Sequence, residues 1–155
     1  MAGQYASAVL RQMMKRQAIG KQELMEKAAR SFAGLREGLM SDAESGNIRM
    51  TESRIYVGLN DTDTREQKYE TEKYVGILKH VCRSYHVAFS MDIEEGGYFH
   101  EDGEYTEEVS LVLILIDADR DIVREIAKDL CTFFHQESVL VTENQISGRF
   151  ISRDS

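Results

Sequence analysis

The run VSLVLILI at residues 109–116 constrains this chain most: seven of its eight residues are apolar. It is far short of the ~20 residues that cross a bilayer as a helix. Its length and its branched side chains predict a strand. Side chains alternate along a strand, so Leu111, Leu113 and Leu115 share one face and Val112, Ile114 and Ile116 the other. Burying three such side chains rather than exposing them is worth roughly 5–9 kcal/mol per face. Such a strand belongs in the middle of a sheet with both faces covered. Helices supply one cover. The other is expected from a second copy of the domain, from the chain's own N-terminal helices, or from a ligand.

The segments around this strand supply the rest of a pattern. RIYVGLN (54–60) alternates Ile55, Val57 and Leu59 with Tyr56, Gly58 and Asn60, as a strand does. A helix is predicted over about 66–84, with Tyr74, Leu78, Val81 and Tyr85 on one stripe, Cys82 beside it, and Asp63 or Thr64 as its cap. VAFSMDI (87–93) alternates again. A second helix is predicted over 119–135, capped by Asp117 or Asp119, with Ile122, Ile126, Leu130 and Phe133 or Phe134 inward. SVLVTE (138–143) closes the series. The order β-α-β-β-α-β predicts an α+β, ferredoxin-like domain: a four-stranded antiparallel sheet, first and third strands central, with two helices on one face. Residues 4–40 read as amphipathic helix, interrupted at Gly20, and SDAESGN (41–47) as a linker. The expected organisation is an N-terminal helical arm and linker (1–50), the domain (51–143) and a C-terminal tail (144–155).

Charge divides along the same boundary. The net charge of −8 combines eight Lys/Arg against five Asp/Glu in residues 1–50 with eleven against twenty-two in the rest. An acidic domain repels phosphates, so direct nucleic acid binding is not expected. The +3 arm suits a place over the acidic domain of its own chain or of a neighbour. No apolar signal segment opens the sequence, and no stretch is long enough to span a membrane. Cys82 and Cys131 fall in predicted helices without a CxxC spacing, which suits reduced thiols and a cytoplasmic setting.

Two segments carry a family resemblance. Tyr56, Gly58 and Leu59 of the first strand, with Phe134, Gln136, Glu137, Ser138, Val139 and Leu140 after the second helix, resemble a small uncharacterised bacterial family. Its members open on a Y-x-G-L strand and close on a phenylalanine and a Q-E-S-V-L run. The resemblance covers about residues 54–142 and implies the ferredoxin-like fold, with no activity attached. The N-terminal arm and the acid-rich stretch have no counterpart in it.

That acid-rich stretch, EEGGYFHEDGEYTEE (94–108), holds seven carboxylates, three glycines and a histidine. Glu94, Glu95, His100, Glu101, Asp102 and Glu104 have the chemistry of metal ligands, but neither a Ca²⁺-loop spacing nor a His pair at i, i+4. The expected reading is a solvated hairpin tip, with Gly96, Gly97 and Gly103 supplying positive φ. His135 stands where the second helix should end, where it complements the helix dipole. Gln136 and Glu137 fit a helix-to-strand corner. Asn60, Asp61 and Arg65 form a polar rim after the first strand. No phosphate loop, nucleophile elbow or Cys–His pair appears.

No catalytic, cofactor or metal residue is therefore assigned. The leading expectation is a non-enzymatic interaction or regulatory module that self-associates through its sheet face or its helical arm, most simply as a dimer, with a further protein partner admitted. One alternative is an acidic inhibitor, of the kind mobile elements encode, that occupies another protein's nucleic-acid-binding surface. The other is a small dimeric enzyme with a pocket lined by Tyr56, Asn60, His100 and His135, one of the histidines serving as acid–base group. A cavity that gathers at least two of those four is the condition for keeping the last.

Overall fold

The computed structural model describes residue 26 and residues 46–154. The predicted helical arm at 4–40 lies outside the described residues, Glu26 apart. Six elements follow in the expected order: β1 (Ile48–Gly58), α1 (Thr71–Ser84), β2 (Ser90–Phe99), β3 (Tyr105–Ile116), α2 (Arg120–Phe133) and β4 (Leu140–Gly148). They form one antiparallel sheet in the order β2-β3-β1-β4, with β1 and β3 central. This is the ferredoxin-like arrangement.

The register shows why VSLVLILI had to be central. Leu111, Leu113 and Leu115 stand opposite Val57, Ile55 and Ser53 and are fully buried beneath the helices. From α1, Tyr74, Leu78, Val81 and Cys82 enter this core, and from α2, Ile122, Val123, Ile126, Ala127 and Leu130. Tyr74 meets Phe134 edge-on at 5.1 Å. A buried hydrogen bond from the Tyr85 hydroxyl to Asp129 Oδ2, 2.8 Å, ties the two helices together. Cys82 and Cys131 are both free thiols. On the other face Val112 is buried, Ile114 half-buried and Ile116 exposed. Their cross-strand neighbours there include Glu52, Arg54 and Tyr56 on β1 and Asp92 on β2, so this face is more polar than β3 alone suggests.

Several boundaries differ from the sequence expectation, each for a local reason. β1 begins at Ile48, before the expected boundary, and β4 runs on to Gly148, because the two pair from Ile48 opposite Gly148 to Tyr56 opposite Leu140. The first helix starts at Thr71 rather than near 66. Its N-cap, Glu70, makes no side-chain capping bond, and neither Asp63 nor Thr64 caps it. The intervening loop is held instead by Asp61, whose Oδ1 accepts from the N–H groups of Asp63 and Thr64 at 3.0 and 3.1 Å. At the second helix Asp119 is the cap, accepting from the Asp121 N–H at 2.8 Å. Asp117 instead takes φ +50° and clamps Thr51, accepting from its N–H (2.6 Å) and donating its own to the Thr51 carbonyl (2.7 Å).

The largest correction concerns residues 94–108. Most of this stretch is paired strand, and the turn is confined to about 100–104. Only Gly103 among its glycines has positive φ, +85°. Gly97 serves another purpose: the Tyr105 ring lies across it, and a Cβ there would stand 2.1 Å from the Tyr105 hydroxyl oxygen.

Candidate functional site

β1 ends in Gly58, and the reason for a glycine there is a carboxylate. Gly58 pairs with Ser110, and the Glu108 side chain folds back over its Cα. A Cβ on Gly58 would fall 2.2 Å from Glu108 Oε1. With that space open, Oε1 accepts the backbone N–H of Asn60 at 3.0 Å. The Asn60 side-chain amide donates to the Glu107 carbonyl at 3.2 Å.

The other end of the chain arrives at the same residue. The Gln136 amide donates to the Asn60 carbonyl at 2.5 Å, across 76 residues of sequence. The Glu137 N–H donates to the Thr62 hydroxyl (3.2 Å), and the Thr62 N–H to the His135 carbonyl (3.2 Å). The end of β1 and the segment His135–Ser138 after α2 thus close on one another at one corner.

Asp61 is the ionic centre of that corner. It is 3 % exposed. Its Oδ2 takes the Lys68 ammonium at 2.8 Å and His135 Nδ1 at 2.5 Å. Burial would raise this carboxyl, but hydrogen bonds from Lys68, His135 and the Thr64 and Asp63 N–H groups outweigh it and hold it well below the usual carboxylate range. His135 has φ +52°, the left-handed residue of a helix-ending turn closed by the Gln136 N–H to the Cys131 carbonyl at 2.8 Å, as His86 (φ +55°) is at the end of α1. His135 follows the end of α2, where the sequence placed it, and has Asp61 as a specific partner. Asp61, Asp63 and His135 also bring ligand atoms within 4.8 Å of one another. Both Asp61 oxygens are engaged in hydrogen bonds in this structure.

Against this corner lies the hairpin. Tyr98 and His100 meet edge-on at 4.8 Å, and His100 Nε2 lies 3.0 Å from the Thr106 hydroxyl. Arg65, itself at φ +58°, reaches Glu104 (3.3 Å) and Asp102 (3.8 Å) and ties the loop to the hairpin turn. Between them is a cleft of about 340 Å³ lined by Asn60, Asp61, Thr62, Arg65, Tyr98, His100, Glu108, Gln136, Glu137 and Ser138. A second recess of about 450 Å³ adjoins it, sharing Asn60 and Glu108 and adding Glu95, Gly97, Tyr105 and Glu107.

Six of the eight residues singled out from sequence therefore line one cleft: Asn60, Asp61, Arg65, His100, Gln136 and Glu137. His135 stands behind it on Asp61. Tyr56 does not line it; it lies on the sheet face away from the two helices, between Val112 and Leu140 in the register. Asn60 and His100 do share a cavity, which meets the condition set for the enzyme reading. Glu108 and Tyr98 escaped the sequence reading. A glycine in a central strand was the available signal for Glu108, and the period-2 alternation placing Tyr98 and Glu108 on one face was the signal for both.

The chain is a small ferredoxin-like α+β domain carrying a polar, carboxylate-lined cleft at the end of its first strand. No family model matches it, and no curated protein does. Solved structures do. A phage SAM lyase in its apo state is 25 % identical, with a TM-score of 0.50, over 64 % of this chain and 89 % of that one. A phage SAM lyase in complex with S-methyl-5′-thioadenosine is 24 % identical, with a TM-score of 0.49, over 65 % and 90 %. The GlnK–ATP complex of B. subtilis is 15 % identical, with a TM-score of 0.39, over 63 % and 82 %. No described helix is long and apolar enough to cross a membrane.

Proposed function

We propose that this protein is a lyase acting on SAM or a closely related sulfonium compound at the Asn60–Glu108 cleft. The observation that carries the reading is Glu108, a carboxylate that Gly58 and the Asn60 N–H fix at the wall shared by both recesses. The likeness to the apo phage SAM lyase supports it.

The chemistry fits the groups present. A sulfonium is a cation, and carboxylates with an aromatic face recognise cations of this kind. Glu108 provides the charge, and the Tyr98–His100 ring pair provides a surface on which an adenine can stack. A lyase adds no water. The carbon–sulfur bond to the amino-acid arm breaks with its electron pair going to sulfur, which leaves as the neutral thioether S-methyl-5′-thioadenosine. The four-carbon remainder then either loses a proton to a base or closes on its own carboxylate, and no oxidant or co-reactant is needed. With one Glu108 oxygen held by Asn60, the other is available as that base or as the counter-charge.

The test is incubation of the full chain with SAM and chromatographic detection of S-methyl-5′-thioadenosine. Release is expected, reduced at least a hundredfold in Glu108→Gln, a change that keeps the side chain's shape. A wild-type chain without release, or a Glu108→Gln variant with undiminished release, refutes the proposal.

The interaction-module reading has a separate basis in exposed apolar side chains on the hairpin. The acidic-inhibitor reading has less support. In the hairpin strands Glu94 and Glu108 point to one face and Glu95 and Glu107 to the other, so these carboxylates do not make one continuous surface.

A further inference from the structure

Two exposed apolar clusters remain that the cleft does not use. The first is on the hairpin. Ile93, Phe99 and Tyr105 share one face of β2–β3 and are 56, 73 and 53 % exposed. Phe99 and Tyr105 lie 5.1 Å apart, centroid to centroid, and Tyr105 lines the larger recess together with Gly97. Glu95 and Glu107 stand on that same face, and Glu101, Asp102 and Glu104 occupy the turn. The second cluster follows β4: Phe150 and Ile151, 76 and 75 % exposed, bracketed by Arg149 and Arg153. One surface is aromatic with an acidic rim. The other is apolar, with Arg149 on one flank and, on the other, Arg153, which lies 3.6 Å from Asp154.

Within one chain they cannot meet. Gly148 pairs with Ile48 at the start of β1, and Gly58 at its end pairs with Ser110. Those ten residues of β1 span about 33 Å, and the five from Ser110 back to Tyr105 add about 17 Å. From Gly148, a fully extended chain carries Ile151 only about 10 Å. The clusters also flank opposite edges of the sheet, since the order is β2-β3-β1-β4.

We infer that the segment Arg149–Arg153 of one copy docks on the β2–β3 hairpin of a second copy. Phe150 enters the recess beside Gly97 and Tyr105, Ile151 covers Phe99, and the arginines face Glu95, Glu107 and the acidic turn. Opposite charges around an apolar centre give such a contact its register as well as its attraction. Because the two surfaces differ, the contact is head-to-tail, and repetition closes a ring or extends a chain of subunits.

Light scattering coupled to size exclusion on the full chain tests this, with reciprocal charge reversals. The wild type is expected to run above the mass of one chain. Arg149→Glu/Arg153→Glu and Glu95→Arg/Glu107→Arg are each expected to self-associate at least tenfold more weakly. Mixing the two reversed variants should restore the larger particle. Restoration cannot come from misfolding, so it separates docking from damage. The Phe150→Ser/Ile151→Ser variant should dissociate, and Arg149→Glu/Arg153→Glu should not rescue it, since neither carries an intact tail. A monomeric wild type, a Phe150→Ser/Ile151→Ser variant with unchanged mass, or a mixture that stays monomeric overturns the inference.

Discussion

Replacing Gly58 by alanine tests the site at its smallest dimension. The new methyl would lie 2.2 Å from Glu108 Oε1 and 2.4 Å from Cδ, so the carboxylate must leave. Its departure breaks the 3.0 Å bond from the Asn60 N–H, a hydrogen bond to a charged acceptor and so worth about 1.5–3 kcal/mol. Against this, alanine in a strand gains about 0.5–1 kcal/mol over glycine, by restricting the unfolded chain. The balance is a loss of about 1–2 kcal/mol. Urea denaturation of the wild type, Gly58→Ala, Glu108→Ala and the double variant measures it. With Glu108 already truncated, Gly58→Ala has nothing to displace and should become neutral or stabilising by up to about 1 kcal/mol. An equal loss in both backgrounds would refute the account of Gly58 as the seat of a carboxylate.

Asp61→Asn should destabilise the fold by about 2 kcal/mol at neutral pH, because charge-assisted bonds to Lys68 and His135 are lost. The folded Asp61 carboxyl is held below its ordinary value near 3.8, so its contribution is fully present above that pH. It is lost as pH falls below that value toward the folded one, and acid titration of Asp61→Asn should lack that part of the decline. Burial pushes the Cys82 thiol up to about 12, so iodoacetamide at pH 8 should modify the half-buried Cys131 first and Cys82 only on unfolding. Gln136→Ala removes the bond to the Asn60 carbonyl and should cost about 1 kcal/mol in thermal unfolding. It should also raise hydrogen exchange in the 60–67 loop before it affects β3.

The fold was legible because its signals are local and periodic. Leu111, Leu113 and Leu115, and the stripe Tyr74, Leu78, Val81, announce their elements within a few residues, and their burial follows directly. The site was legible in part for the same reason. Asn60, Asp61, Gln136 and Glu137 stand at corners, and corners of one sheet end tend to meet. Glu108 was hidden by its company: among seven carboxylates in fifteen residues, nothing local marks the one that folds over Gly58. The helix start at Thr71 was hidden by chemistry that mimics a cap. Asp63 and Thr64 have cap-forming side chains, but their own N–H groups are the ones captured, by Asp61. Arg65 and His135 take positive φ in turns closed by backbone bonds, from the Arg65 N–H to the Asp61 carbonyl and from the Gln136 N–H to the Cys131 carbonyl, and neither side chain is the glycine or asparagine that would mark such a turn in the sequence.

The meeting of Gln136 with Asn60 also fixes when this corner can exist. During synthesis at about 5–20 residues per second, the far side of that bond follows the near side by several seconds. Through that interval β1 has emerged while β3, and then β4, its two neighbours in the sheet, are still to come. The nascent chain must therefore carry Ile55, Val57 and Leu59 exposed, so the last residues to arrive both finish the cleft and end the period of greatest exposure to aggregation.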